Sequence, residues 1–137
     1  MSFSLPPVVK LAERLLVDIE FAVSRFNRSF RNGYGTDLRE QAYQVTLTAH
    51  SAWRDRTNQA QWLEKLVADV DGLKLRLQIG SRLHAFSSFG KFEELARTAS
   101  ELGRQTGGWY KRNHPKDQNG QHRNAGQPNC FATEIAA

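Results

Sequence analysis

The chain has a single cysteine, Cys130, among 137 residues. That excludes an internal disulfide and is too few for a thiolate zinc site. No apolar run approaches the roughly 20 residues needed to cross a bilayer, so no membrane partner is expected. Residues 1–7 lack a charged stretch followed by an apolar block, so no secretory signal is expected and the cytoplasm is the expected location. No segment alternates apolar and polar residues as a half-buried strand does. Catalytic patterns are scarce as well. Asn32-Gly33-Tyr34-Gly35 joins two helical segments and is not a phosphate loop. His50 and His84 fall within helical patterns, the latter near a core stripe, where a satisfied buried histidine is the ordinary reading. His114 and His122 lack ligand-spaced neighbours. Asp69 and Asp71 point to different sides of a helix, and Cys130 has no activating partner. These features predict no enzyme, no metal and no cofactor.

Positive charge is what the chain has in excess. The net charge is +5, with arginine outnumbering lysine about two to one. The planar, multi-donor guanidinium suits phosphate better than an ammonium does. The balance favours polyanion partners, although ordinary domains share it.

At this length one domain is expected, and four segments carry helical periodicity. The first follows Pro6-Pro7, residues suited to a helix's first turn. It places Val8, Ala12, Leu15, Ile19, Val23, Phe26 and Phe30 at spacings of three and four, and it should stop at Asn32-Gly33-Tyr34-Gly35. The second opens at Thr36-Asp37, where Asp37 and Glu40 have capping-box spacing. It continues through Leu38, Ala42, Val45, Ala49 and Ala52. The third is predicted from about Gln59 to Phe86, with Trp62, Leu66, Val70, Leu73, Leu77 and Gly80 on one side. Leu75, Ile79, Leu83 and Phe86 point nearly the opposite way. A helix apolar on two faces is buried on both, either by a second subunit or by a neighbouring helix. The fourth carries Phe92, Leu95, Ala96, Ala99, Leu102, Gly103, Thr106, Trp109 and Tyr110 on one broad face, with Ala96, Ala99, Gly103 and Gly107 small enough to admit a close partner helix. The predicted fold is all-α, an antiparallel up-and-down four-helix bundle over residues 1–112. Residues 113–137, poor in apolar side chains, are predicted to be a disordered tail.

The functional candidates lie on the first helix. Lys10, Arg14, Arg25 and Arg28 project within a narrow sector opposite its apolar stripe, with Asp18 interrupting the row. Arg31 and Arg39 extend the charge into the second helix. Such a row on a rigid helix can track phosphates and release counterions, or it can be an ordinary solvated face. Lys74, Arg76 and Arg82 form a second cationic group that does not share one sector. Asp69 and Asp71 lie nearby, favouring ion pairing over phosphate contact. The aromatics Trp62, Phe92 and Trp109 fall on apolar stripes and read as core. On the fourth helix Glu93–Arg97 and Glu101–Arg104 have stabilising spacings.

The order of these features resembles a known family. Gly33-Tyr34-Gly35-Thr36-Asp37-Leu38-Arg39-Glu40, then Val70-Asp71-Gly72-Leu73-Lys74-Leu75-Arg76-Leu77, then Leu102-Gly103-Arg104-Gln105-Thr106-Gly107-Gly108-Trp109 follow one another. They resemble the accessory variability determinant (Avd) proteins of diversity-generating retroelements, part of a wider four-helix-bundle family that includes ribosomal intervening-sequence proteins. The similarity spans residues 26–112. It implies a homopentameric barrel with a positive surface. It also implies partnership with a reverse transcriptase, its template-repeat RNA and cDNA, and a non-catalytic role in mutagenic cDNA synthesis. The candidate binding positions, Lys10, Arg14, Arg25, Arg28, Arg31, Arg39, Lys74, Arg76 and Arg82, come from the helix reading and not from the family. The alternatives are an RNA-associated bundle of the intervening-sequence type and an oligomeric interaction scaffold that binds no nucleic acid.

Overall fold

The structure, a computed structural model, describes residues 5–114. Those residues form five helices and no strand: α1 (Pro7–Ser24), α2 (Arg28–Arg31), α3 (Tyr34–Arg54), α4 (Gln59–Arg82) and α5 (Phe89–Asn113). Pro7 occupies the first turn of α1, as expected. The predicted tail lies outside the described residues from position 115 onward. Asn113 itself closes α5, and His114 caps it with its ring stacked on Tyr110.

The four long helices pack in a ring, α1 on α3, α3 on α4, α4 on α5, and α5 back on α1. Side-chain contacts fix the first three pairs as antiparallel, and the direction of α5 against α1 follows from them. Arg39 meets Glu20 while Thr46 reaches the Ala12 carbonyl. Tyr34 donates to the Arg76 carbonyl at 2.6 Å while Gln41 donates to that of Asp69 at 2.8 Å. Lys74 lies over Gly103 while His114 lies 3.5 Å from Glu64. The core between the helices is apolar and tightly closed, with Val9, Ile19, Leu38, Leu63, Leu66, Leu73, Leu77 and Leu102 inaccessible to solvent. These are positions whose spacing of three and four gives each helix its buried face.

The first helix is shorter than its periodicity predicts. It ends at Ser24 instead of running to Phe30, and residues 28–31 form a separate single turn. Phe26 turns into the core, stacked on Tyr34 at 5.8 Å and edge-on to Phe86 at 5.2 Å. Burying a phenylalanine is worth about 1.5–3 kcal/mol, more than the few tenths of a kcal/mol by which helix propensities differ. Tertiary packing therefore overrides the periodic pattern. The second predicted start is corrected as well. Helix α3 begins at Tyr34, so Asp37 is no cap, and its carboxylate accepts from Arg76 at 3.0 Å. Gly35 does not break the chain. It lies within the first turn of α3, where a Cβ would fall 2.9 Å from Val23 and 3.1 Å from the Phe30 carbonyl.

Helix α4 stops at Arg82 and not at Phe86. His84 adopts φ 57°, and the Ala85 and His84 amides bond back to the Gly80 and Ser81 carbonyls, a Schellman closure. His84 is therefore an exposed capping residue, not the buried core histidine expected. Phe86, beyond the helix end, packs on Phe26 and Phe92 and does not belong to the outer stripe. Leu75, Ile79 and Leu83 do form that stripe, at 55, 41 and 41 % exposure. Among the described residues no helix covers it.

Candidate nucleic-acid interface

Helix α1 turns its apolar side inward, so Lys10 and Arg14 face solvent from its outer surface. Arg25 caps its C-terminal end, and Arg28 and Arg31 follow on α2, all exposed. The expected single row on one helix is thus replaced by two cations on α1 and a denser group at its end. Among the described residues, Lys10, Arg25, Arg28 and Arg31 have no carboxylate within 4.0 Å. Arg14 faces Asp18 at 3.9 Å with its side chain 71 % exposed, a pair too solvated to hold it.

The other candidates separate by role. Arg39 pairs with Glu20 at 3.3 Å, tying α3 to α1. Arg76 bridges α4 to α3 through Asp37 and also donates to its own helix at the Gly72 carbonyl. Lys74 is buried at 7 % exposure, lying over Gly103, where a Cβ would come within 2.8 Å of its terminal carbon. Burial pulls its ammonium below the ordinary lysine range, with Asp71 opposing the shift, while burial raises Asp71. A lysine in that position packs the α4–α5 seam. Of the second group only Arg82 is exposed without a carboxylate within 4.0 Å among the described residues. Asp69, expected to pair within this group, instead holds Lys65 at 2.9 Å and accepts from Thr48 at 2.7 Å.

Sequence reasoning missed two apolar members of the outer α1 surface. Val17 and Phe21 are 51 and 67 % exposed, one turn apart between Arg14 and Arg25. Their signal was available, because both fall off the buried stripe of α1, on the sector that carries the cations. Phe21 borders a groove of about 590 Å³ between α1 and α5, lined also by Arg14, Asp18, Arg25, Lys91, Glu94 and Arg97. Lys91 pairs with Glu94 at 3.2 Å. The expected Glu93–Arg97 pair does not form. Arg97 is exposed, with no carboxylate within 4.0 Å among the described residues. Glu101 does bind Arg104, and hydrogen bonds from Arg104 and Gln105 hold its carboxyl down at about 2.

At the opposite end of α1, His50 on α3 lies 2.7 Å from Glu13. Trp62 donates its indole N–H to Asp55 at 3.0 Å, and that bond leads the causes holding Asp55 below the ordinary carboxylate range. Trp62 is thus a half-buried clamp on the α3–α4 turn, with Leu63 taking the core position. Among the described residues no group of three His, Cys, Asp or Glu side chains is placed to hold a metal ion. Nor is any described helix long and apolar enough to cross a membrane. No protein-family model, curated protein or solved structure matches this chain.

Proposed function

We propose that this chain is a non-catalytic accessory protein of a diversity-generating retroelement, binding reverse transcriptase and template RNA or cDNA through the α1–α2 surface and supporting mutagenic cDNA synthesis. The observation that carries the reading is the group Lys10, Arg25, Arg28 and Arg31, exposed and without a carboxylate within 4.0 Å among the described residues. Guanidinium groups left unpaired on a rigid surface keep their full donor capacity for phosphate. The resemblance of residues 26–112 to Avd proteins supplies the particular partners. Self-assembly into a ring multiplies each weak phosphate contact, and the Leu75–Ile79–Leu83 stripe is the surface proposed to join copies. Under this reading Arg39, Lys74 and Arg76 serve the fold and not the partner.

The test is co-expression of the full chain with a retroelement reverse transcriptase and its template-repeat RNA, followed by purification on the chain. Retention of both partners is expected, and their loss in an Arg25→Glu/Arg28→Glu variant of unchanged helicity. Equal recovery with that variant refutes the basic-surface assignment. The Leu75–Ile79–Leu83 stripe also favours a second reading, an oligomeric scaffold whose arginines only solvate it. Assembly without any RNA retention selects that reading.

A further inference from the structure

We propose that the α1–α5 groove takes a single-stranded stretch of nucleic acid, with one base stacked on Phe21 and the flanking phosphates held by Arg25 and Arg97. This deepens the nucleic-acid reading above and rests on it. The groove carries Arg14, Arg25, Lys91 and Arg97 against two carboxylates, Asp18 and Glu94. Lys91 is tied to Glu94, and Asp18 at 3.9 Å offsets the charge of Arg14 without holding its side chain. The excess charge is therefore Arg25 on one wall and Arg97 on the other. Phe21, 67 % exposed, borders the groove one turn before Arg25.

An aromatic face beside cations is the arrangement that holds unpaired bases, because every base offers a π-face and stacking is indifferent to sequence. A duplex hides those faces, and its phosphates need only a cationic surface. From Arg14 to Arg25 the helix rises about 16 Å. That is room for several nucleotides at the roughly 3.4 Å spacing of a stacked strand. An acidic peptide satisfies the arginines but gives Phe21 no flat partner, so the exposed ring favours a base.

The test compares labelled oligouridine with a hairpin duplex of equal length, binding to the full chain, in wild type and in Phe21→Ala, Phe21→Trp, Arg25→Gln and Arg97→Gln. Phe21→Ala is expected to weaken oligouridine binding by about 5- to 150-fold without altering its salt dependence, and to leave the duplex unaffected. Phe21→Trp should retain or improve binding. Each arginine variant should reduce the salt slope by about 0.7. Oligouridine binding undiminished in Phe21→Ala overturns the stacking site while leaving the basic-surface reading intact. No binding of either RNA by wild type removes both. A Phe21→Ala chain of changed oligomeric mass overturns the inference by making the ring a contact between copies. Displacement of oligouridine by polyglutamate that depends on Phe21 overturns it in favour of an acidic protein ligand.

Discussion

Replacing Ile79 with aspartate separates the stability of the single chain from that of an assembly. Leu75, Ile79 and Leu83 remain 55, 41 and 41 % exposed on the outer face of α4. Full burial of such a side chain is worth about 1.5–3 kcal/mol, so covering the exposed halves contributes about 1 kcal/mol each, or about 3 kcal/mol per subunit. In a ring each stripe meets a different surface of the next copy, so its contribution stays at about 3 kcal/mol per contact, on the order of a 10²-fold gain in association. Aspartate removes one third of the apolar gain and adds a charge whose unpaired burial costs several kcal/mol more. In the single chain Ile79 is already 41 % exposed, and losing the share that is buried costs about 1–2 kcal/mol. Size-exclusion chromatography with light scattering, run over a range of protein concentrations, should show the variant dissociated. Its helical circular dichroism should match that of a wild-type monomer, with melting lowered by about 4–16 °C and still cooperative. A full-size assembly of the Ile79→Asp variant, or a wild-type chain that stays monomeric throughout, refutes the interface.

Four further outcomes follow from the packing. Gly80→Ala places a Cβ 2.0 Å from the Tyr34 hydroxyl and 2.6 Å from Phe86, so overpacking of about 1–3 kcal/mol or more should outweigh the helix-propensity gain in a urea titration. Gly107→Ala meets nothing within 4 Å among the described residues and should stabilise α5 by up to about 1 kcal/mol; a loss there identifies Gly107 as a contact point. Lys74→Met should leave RNA affinity and its salt slope unchanged, since the ammonium is buried on the α4–α5 seam; a lowered slope contradicts that placement. Asp55 titrates below its ordinary value in the folded chain, chiefly through the Trp62 bond. Its stabilising contribution is therefore present above the unfolded carboxylate value and lost as pH falls through the lowered one. Asp55→Asn should flatten that acid-side decline in melting temperature, and an unchanged profile counts against the Trp62 clamp.

The helical content and the inner face of each long helix were legible because spacing of three and four is a local signal. Leu38, Ala42, Val45, Leu66, Val70, Leu73, Leu77, Leu95, Ala99 and Leu102 all sit in the core where their periodicity puts them. The starts of α1 at Pro7 and α4 at Gln59 were legible as well, but the ends of both helices were not. The pattern runs unbroken through Phe26, and only the rings of Tyr34 and Phe86 explain why the chain turns there. The α4 terminus was hidden because its left-handed capping residue is His84, where glycine is the usual marker. For the candidate interface, charge and helix sector identified the exposed cations. Sequence spacing could not show that Arg39 and Arg76 are taken by Glu20 and Asp37, carboxylates on neighbouring helices. Lys74 was misplaced for a related reason. Gly103, 29 positions on, leaves the gap its chain fills, and no local pattern reports such a pairing. Gly107 was expected to admit a partner helix, yet among the described residues no other element comes within 4 Å of the place a Cβ would take there.

The central claim is that cations at the end of α1 meet phosphate, and a salt titration tests it most directly. RNA affinity of the full chain should fall steeply and linearly on logarithmic axes as salt rises. Arg25→Glu/Arg28→Glu should lower affinity at every salt concentration and cut the slope by about 1.4, two contacts at about 0.7 each. An unchanged slope and affinity in that variant would contradict the account.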